Sequence, residues 1–138
     1  MTNINNPDIE RLEKIRMHCF NIQKTLQNIN LEVFTSENGV DIRDSSSFRL
    51  FQIGEHSNKL SKDFKERYPD FKWAAIYRFR NILGHDYESV SHKAIWKTCK
   101  NDIPKLLNYV DKIINDIEKT QQSEKEQEVR SEEGEGDF

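Results

Sequence analysis

The sequence has few of the residues that make turns and no long apolar segment. Its 138 residues include only five glycines and three prolines, which argues against a turn-rich β fold. No apolar run approaches the roughly 20 residues that cross a bilayer. Residues 1–6 also lack the basic and apolar regions of a signal peptide. We therefore expect a cytoplasmic protein with no membrane partner.

Cysteine is equally scarce, with two residues in the chain. Cys19 and Cys99 fall at apolar helical positions and have no Cys-x-x-Cys or Cys/His spacing of the kind that binds zinc. The histidines His18, His56 and His92 are not spaced as a ligand set either. We expect reduced cysteines in the core, no metal site and no cofactor.

Charge is unevenly distributed along the chain. The formal net charge is −3, but residues 119–138 hold seven acids against three bases, which leaves a balance of about +1 for residues 1–118. The acidic total therefore does not exclude a polyanionic ligand. Apolar periodicity also ends near residue 119. We predict one helical domain over residues 1–118 and an acidic, disordered tail over residues 119–138.

Apolar residues that recur every three or four positions predict four helices. Gly84 is expected to end the third helix, and Pro104 to kink or restart the fourth near residues 101–102. Short connections favour an all-α, antiparallel, up-and-down four-helix bundle. The predicted helices cover about residues 6–34, 41–67, 72–83 and 91–118. The apolar stripes of the first two include Leu12, Ile15, Cys19, Ile22, Leu26, Ile29 and Val33, and then Phe48, Leu50, Phe51, Ile53, Leu60 and Phe64.

The segment from Arg80 to Tyr87 holds the richest chemistry, with a guanidinium, an imidazole and a phenol in eight residues. Arginine presents a planar fork of donors that fits a phosphate, and histidine transfers protons near neutral pH. In a continuous helix Arg80 and His85 would differ by about 7.5 Å of rise and about 140° of rotation. We therefore expect a helix end or a short turn at this motif.

Simpler interpretations of these residues remain open. Arg80 could form a surface salt bridge, His85 could cap a helix, and Tyr87 could be a packing aromatic. Glu55 could face the motif, although a catalytic role is not expected. Trp73 and Trp96 could stack on bases, but packing in the core is the commoner role of such residues.

The motif Arg-x4-His-x-Tyr and the residues around it resemble the HEPN superfamily, specifically its HepT-like proteins, over residues 8–118. The resemblance implies a dimeric helical bundle. It also implies a metal-independent endoribonuclease that serves as the toxin of a type VII-like toxin–antitoxin pair. The flanking strings that carry the resemblance are Ile53-Gly54-Glu55, Lys59-Leu60-Ser61, Tyr68-Pro69, Trp73, Trp96 and Asp102-Ile103-Pro104-x-Leu106.

Chemistry and resemblance together suggest a role for each residue of the motif. Arg80 would bind phosphate and stabilise the transition state, His85 would act as general acid or base, and Asn81 would support them. The resemblance implies that Tyr87 accepts AMP from a cognate MntA-like nucleotidyltransferase antitoxin, which silences the enzyme. The predicted RNA-binding set, chosen because it lies near the motif in sequence, is Lys72, Arg78, Lys93 and Lys97.

One chain supplies one such histidine, whereas acid and base catalysis call for two groups. A homodimer would place two motifs at one composite site, as the resemblance also implies. Two alternatives remain: a non-catalytic HEPN subunit that binds nucleotide or substrate for a partner nucleotidyltransferase, and a purely structural dimer. Cleavage of RNA by the purified chain in EDTA would separate the enzyme from both.

Overall fold

The structure is a computed structural model that describes residues 6–135, with side chains over residues 7–131. This part of the chain is helical and contains no β-strand, so the prediction of an all-α fold is confirmed. Short 3₁₀ turns cover Glu37–Gly39 and Tyr87–Ser89, and a π-helical turn covers Thr98–Asp102. The α-helices are α1 Asn6–Thr25, α2 Leu31–Thr35, α3 Val40–Lys59, α4 Lys62–Arg67, α5 Trp73–His85, α6 His92–Lys97 and α7 Ile103–Glu135.

The four long helices enclose the core. Helix α3 packs against both α1 and α5, and α1 also packs against α7. Each contributes one apolar face, as its spacing of three and four predicts, and burial of these side chains is the main favourable term in folding. Fully buried members of the core include Leu12, Ile15, Ile22, Leu50, Ile53, Ile103, Leu106 and Val110.

The first predicted helix is interrupted, so the prediction that it runs unbroken to residue 34 is wrong. Helix α1 ends at Thr25, and Asn28 adopts a positive φ of 64°, a conformation that asparagine tolerates better than most residues. Asn30 then caps α2 by accepting a hydrogen bond of 2.9 Å from the Val33 amide. Val33 itself is 39% exposed and does not belong to the buried stripe.

The second predicted helix is also divided, by Leu60 and Ser61. The Ser61 hydroxyl accepts a hydrogen bond from the Phe64 amide and caps α4. Ser61 also donates to both carboxylate oxygens of Asp8, from its amide at 2.8 Å and from its hydroxyl at 2.6 Å. Helix α4 ends at Arg67, as the proline at position 69 predicts. Phe48, assigned to the buried stripe, is 61% exposed.

The third and fourth helices also depart from their predicted ends. Helix α5 continues through Gly84 to His85, so Gly84 does not end it. The irregularity predicted near residues 101–102 is confirmed as the π-helical turn Thr98–Asp102, just before Pro104.

Residues 119–135, predicted to be disordered, extend α7 instead. Their glutamate, glutamine and lysine side chains favour a helix even when they bury nothing. The division into a domain and a tail at residue 118 stays a prediction, and residues 136–138 lie outside the described range.

Both cysteines are buried free thiols, as predicted. Burial raises the pKa of Cys19 and of Cys99 to about 12, so both stay protonated near neutral pH. Among the described residues, no helix has the length and apolar character needed to cross a bilayer.

Candidate active site

The last turns of α5 carry the arginine, asparagine and histidine of the motif. Arg80 and Asn81 lie inside the helix and His85 is its final residue. All three line one open cleft of about 620 Å³. The remaining lining residues are Ile82, Gly84, Asp86, Ser89 and Val90. The motif therefore sits at a helix end, as predicted, but the chain turns at Asp86 rather than at Gly84.

The guanidinium of Arg80 is held by residues of α3. Its Nε lies 2.6 Å from Oε1 of Glu55, an ion pair whose angle falls outside hydrogen-bond geometry. Its Cζ stands 4.2 Å from the centroid of the Phe51 ring, within range of a cation–π contact. Its Nη1 donates a 2.9 Å hydrogen bond to Oδ1 of Asn81. Helix α3 thus orients the planar group and leaves part of it towards the cleft.

Two glycines let α3 and α5 approach at this site. A Cβ on Gly54 would clash with the Cβ of Arg80 and lie 2.9 Å from its Cγ. A Cβ on Gly84 would lie 2.8 Å from Cε2 of Phe51. Gly84 is therefore required by packing against α3, not by a left-handed turn.

His85 is exposed and its imidazole makes no hydrogen bond or ion pair within the described part of the chain. It lies five positions after Arg80 on the same helix, which corresponds to about 7.5 Å along the axis. The continuous helix also rotates His85 by about 140° from Arg80, yet both residues line the same cleft. A cleft lined by both residues can offer a cation and a base to one phosphate ester.

Tyr87 lies beside this cleft, in a smaller groove formed with Asp44, Ser47, Phe48, Phe51 and Leu83. Its hydroxyl donates a 2.5 Å hydrogen bond to Oδ1 of Asp44. Burial raises the pKa of Tyr87, and the hydrogen bond to Asp44 raises it further. The phenol is therefore protonated near neutral pH and is held at a fixed position on the edge of the motif.

The predicted RNA-binding set is not gathered at the cleft. Its four side chains are exposed, and none of them lines the cavity of Arg80 and His85. Lys72 borders a different cavity of about 510 Å³ on another side of α5. The remaining members are Arg78 on α5 and Lys93 and Lys97 on α6.

Of the supporting residues from α3, the sequence suggested only that Glu55 could face the motif; it did not predict Asp44 or Phe51. Asp44, Phe51 and Glu55 contact the motif, and their spacings of seven and four place them on one helical face. That spacing is the signal that could have identified them together. Among the described residues, no three His, Cys, Asp or Glu side chains form a group that could hold a metal ion.

Comparison with known proteins identifies the family of this chain. The family described as Ribonuclease HepT-like matches residues 9–113. The chain belongs to this HepT-like family of HEPN proteins, which confirms the resemblance read from the sequence.

The relatives agree with this assignment. A protein of Thermococcus cleftensis named "Probable ribonuclease HepT" is 39% identical over 61 residues, 44% of this chain and 56% of that one. A provisionally named RNase of Caldanaerobacter subterraneus is 29% identical over 103 residues, 75% of this chain and 90% of its own. One from Methanocaldococcus jannaschii is 37% identical over 59 residues, 43% of this chain and 54% of its own.

The matched segments span only about half the length of most of these relatives. No solved structure gives a significant match.

Proposed function

We propose that this chain is a metal-independent endoribonuclease and the toxin of a type VII-like toxin–antitoxin pair in the cytoplasm. The observation that carries the proposal is the shared cleft of Arg80, Asn81 and His85 in a chain of the Ribonuclease HepT-like family. The four long helices would form an antiparallel bundle, and the bundle would act as a homodimer.

The proposed reaction uses the substrate's own ribose as nucleophile. The 2′-oxygen attacks the adjacent phosphorus and gives its proton to a neutral His85, while the bond from phosphorus to the 5′-oxygen breaks. The leaving 5′-oxygen takes a proton from a second, protonated imidazole. Arg80 binds the phosphoryl oxygens, whose negative charge grows in the transition state. Its ion pair with Glu55 and its contact with Phe51 fix the plane of the fork before substrate arrives.

A second copy of the chain would supply the second imidazole. Two apolar side chains next to the motif are exposed, Ile82 at 55% and Phe48 at 61%. Ile82 lines the cleft of Arg80 and His85, and Phe48 lines the groove of Tyr87. Exposed apolar groups at such positions favour a symmetric contact between two copies of the chain. A two-fold axis near them would bury these side chains of both protomers against each other and bring the two clefts together.

Tyr87 would be the point of control by an MntA-like nucleotidyltransferase. Its oxygen would attack the α-phosphorus of ATP, release pyrophosphate and pass its proton to Asp44, which already accepts its hydrogen bond. The attached AMP would add a bulky anion two residues from His85. It would obstruct the cleft and repel an RNA phosphate.

Incubation of RNA with the purified chain in EDTA tests the activity. We expect cleavage by the wild type and none by His85→Ala, with a product that carries a 2′,3′-cyclic phosphate. Cleavage that survives His85→Ala would contradict the assignment of the base. No cleavage by either chain, with retained binding to a nucleotidyltransferase, would favour a non-catalytic subunit instead.

A further inference from the structure

Six basic side chains meet where α1 packs on α3, away from the residues of the motif. Nη1 of Arg11 lies 3.1 Å from Nδ1 of His56, and Nη1 of Arg49 lies 3.3 Å from Nδ1 of His18. The two imidazoles are stacked, with centroids 5.9 Å apart and an angle of 19° between their planes. We call this group the basic seam. It consists of Arg11, Lys14, His18, Arg49, His56 and Lys59.

The imidazoles of the basic seam are neutral hydrogen-bond acceptors. Arginine can only donate, so each Nδ1 accepts and each Nε2 carries the hydrogen. Burial, and after it the nearby Arg49, His56 and Lys14, lower the pKa of His18 to about 4. Burial also lowers the pKa of His56, where Arg11, Lys14 and Lys59 lower it too and only Glu55 opposes them.

Among the described residues, no carboxylate forms an ion pair with a cation of the basic seam. Arg11 and Arg49 each use Nη1 on a histidine, and neither forms an ion pair there. Each guanidinium has five N–H donors, so most of them remain available. Glu10 flanks Lys14 on α1, and Glu55 is already paired with Arg80. Four cations at one interhelical surface, none of them in an ion pair, favour an anionic ligand.

We propose that the basic seam binds phosphate groups of the RNA backbone outside the scissile linkage. This inference rests on the proposed ribonuclease function: the seam would hold the part of the RNA that extends beyond the cleft. His56 directly follows Glu55, the partner of Arg80, so the seam and the cleft lie on adjoining faces of α3. An RNA strand held at Arg80 can therefore continue across α3 onto α1, where the guanidinium forks fit phosphate oxygens.

A charge-reversal pair tests this inference without threatening the core. Lys14→Glu with Lys59→Glu changes two exposed members of the seam. The matched control is Lys24→Glu with Lys112→Glu, exposed lysines elsewhere on α1 and α7, with the same change of charge. Both pairs are introduced into His85→Ala, and binding of fluorescein-labelled single-stranded RNA is followed by anisotropy at several salt concentrations.

We expect the seam pair to lose at least about tenfold more affinity than the control pair. The slope of the logarithm of the binding constant against the logarithm of the salt concentration should be less steep by about 1.4. Each lost phosphate contact with a single strand reduces that slope by about 0.7, and the seam pair loses two such contacts. Arg11→Gln with Arg49→Gln, checked for folding by circular dichroism, should lose affinity in the same way. Equal affinities of the seam and control pairs, or no measurable RNA binding at all, would overturn the inference.

The cleavage assay distinguishes failure of this inference from failure of the proposed function. With His85 restored, the seam pair should cleave a dinucleotide at the wild-type rate and a long RNA more slowly at limiting concentration. If the wild type cleaves no RNA, the proposed ribonuclease activity is refuted. The anisotropy measurement would still show whether the seam binds RNA. Cleavage of long RNA by the seam pair at the control rate and with the control KM would refute the seam alone.

Discussion

Gly54 and Arg80 are in direct contact across the interface between α3 and α5. The space that a side chain at position 54 would need is filled by the Cβ and Cγ of Arg80. Because the next residue on α3 is Glu55, the same close approach puts its carboxylate 2.6 Å from Nε of Arg80. The missing side chain at one position therefore sets the orientation of the guanidinium.

Gly54→Ala should reduce both stability and activity. Alanine favours an isolated helix by about 1 kcal/mol over glycine, but the clash with Arg80 has to be relieved by moving α5, and overpacking typically costs about 1–3 kcal/mol. We expect a net loss in urea unfolding and a larger fractional loss of RNA cleavage at a temperature where the protein is folded. Asn58→Ala, an exposed change on the same helix, is the control. A variant that is more stable and fully active would contradict the packing argument.

The long helices could be predicted because burial of one apolar face gives a strict spacing. That spacing does not record local breaks, since Asn28 and Ser61 interrupt a continuing apolar pattern. The break at Asn28 depends on a backbone conformation that asparagine allows but does not require. The break at Ser61 depends on Asp8, which lies 53 residues away in sequence. The first break is therefore permitted but not required by its residue, and the partner in the second cannot be seen in a local window of sequence.

The site could be predicted mainly along its own helix, with Glu55 as the one residue of α3 expected to face it. Arg80, Asn81 and His85 are recognisable from their chemistry, and they do line one cleft. The residues that orient them, Glu55 and Phe51, are positioned by the packing of α3 on α5. The stacked pair of His18 and His56 has the same origin, because the two rings are 38 residues apart in sequence and meet only across two packed helices.

The free energy of unfolding should decrease as the pH falls below about 7, because the histidines of the basic seam are held neutral in the folded chain. The folded pKa of His18 is about 4, lower than the ordinary value of 6.5, so the unfolded chain takes up the proton first. The stabilisation is complete above pH 6.5 and is lost as the pH falls towards 4. His56 shifts in the same direction. We expect this term to be of the order of 1 kcal/mol at pH 5, since solvent at the seam screens it.

Urea unfolding of the wild type and of His18→Gln at pH 7 and pH 5 measures this term. Other groups that titrate in this range contribute to both chains, so the difference between the two chains isolates His18. The wild type should lose more stability than the variant. An identical pH dependence would mean that the folded chain does not hold His18 neutral.

Ile82→Lys should disrupt the proposed dimer and reduce cleavage together. Ile82 is 55% exposed at the cleft, and Val129, which is 51% exposed far along α7, offers a matched control. In a two-fold symmetric contact each substitution is present in both protomers, so two lysines would be buried close together in an apolar interface. We expect light scattering to report a monomer for Ile82→Lys and the wild-type size for Val129→Lys. The cleavage rate should fall at least about tenfold for the first variant only, since the second general acid is lost. A fully active monomer would refute the composite site.

Tyr87→Phe should separate cleavage from silencing. The substitution removes one oxygen and its hydrogen bond to Asp44, at a cost of about 1 kcal/mol, but it keeps the ring in its groove and leaves the cleft of Arg80 and His85 unaltered. With a cognate nucleotidyltransferase and ATP, we expect the wild type to gain the mass of AMP and lose activity. Tyr87→Phe should gain no mass and continue to cleave RNA. Tyr77→Phe, which keeps an aromatic ring 5.8 Å from the guanidinium of Arg80, should behave as the wild type. If Tyr87→Phe is unmodified but inactive, the hydroxyl has a catalytic or structural role. If Tyr87→Phe still gains the mass of AMP, another residue is the acceptor.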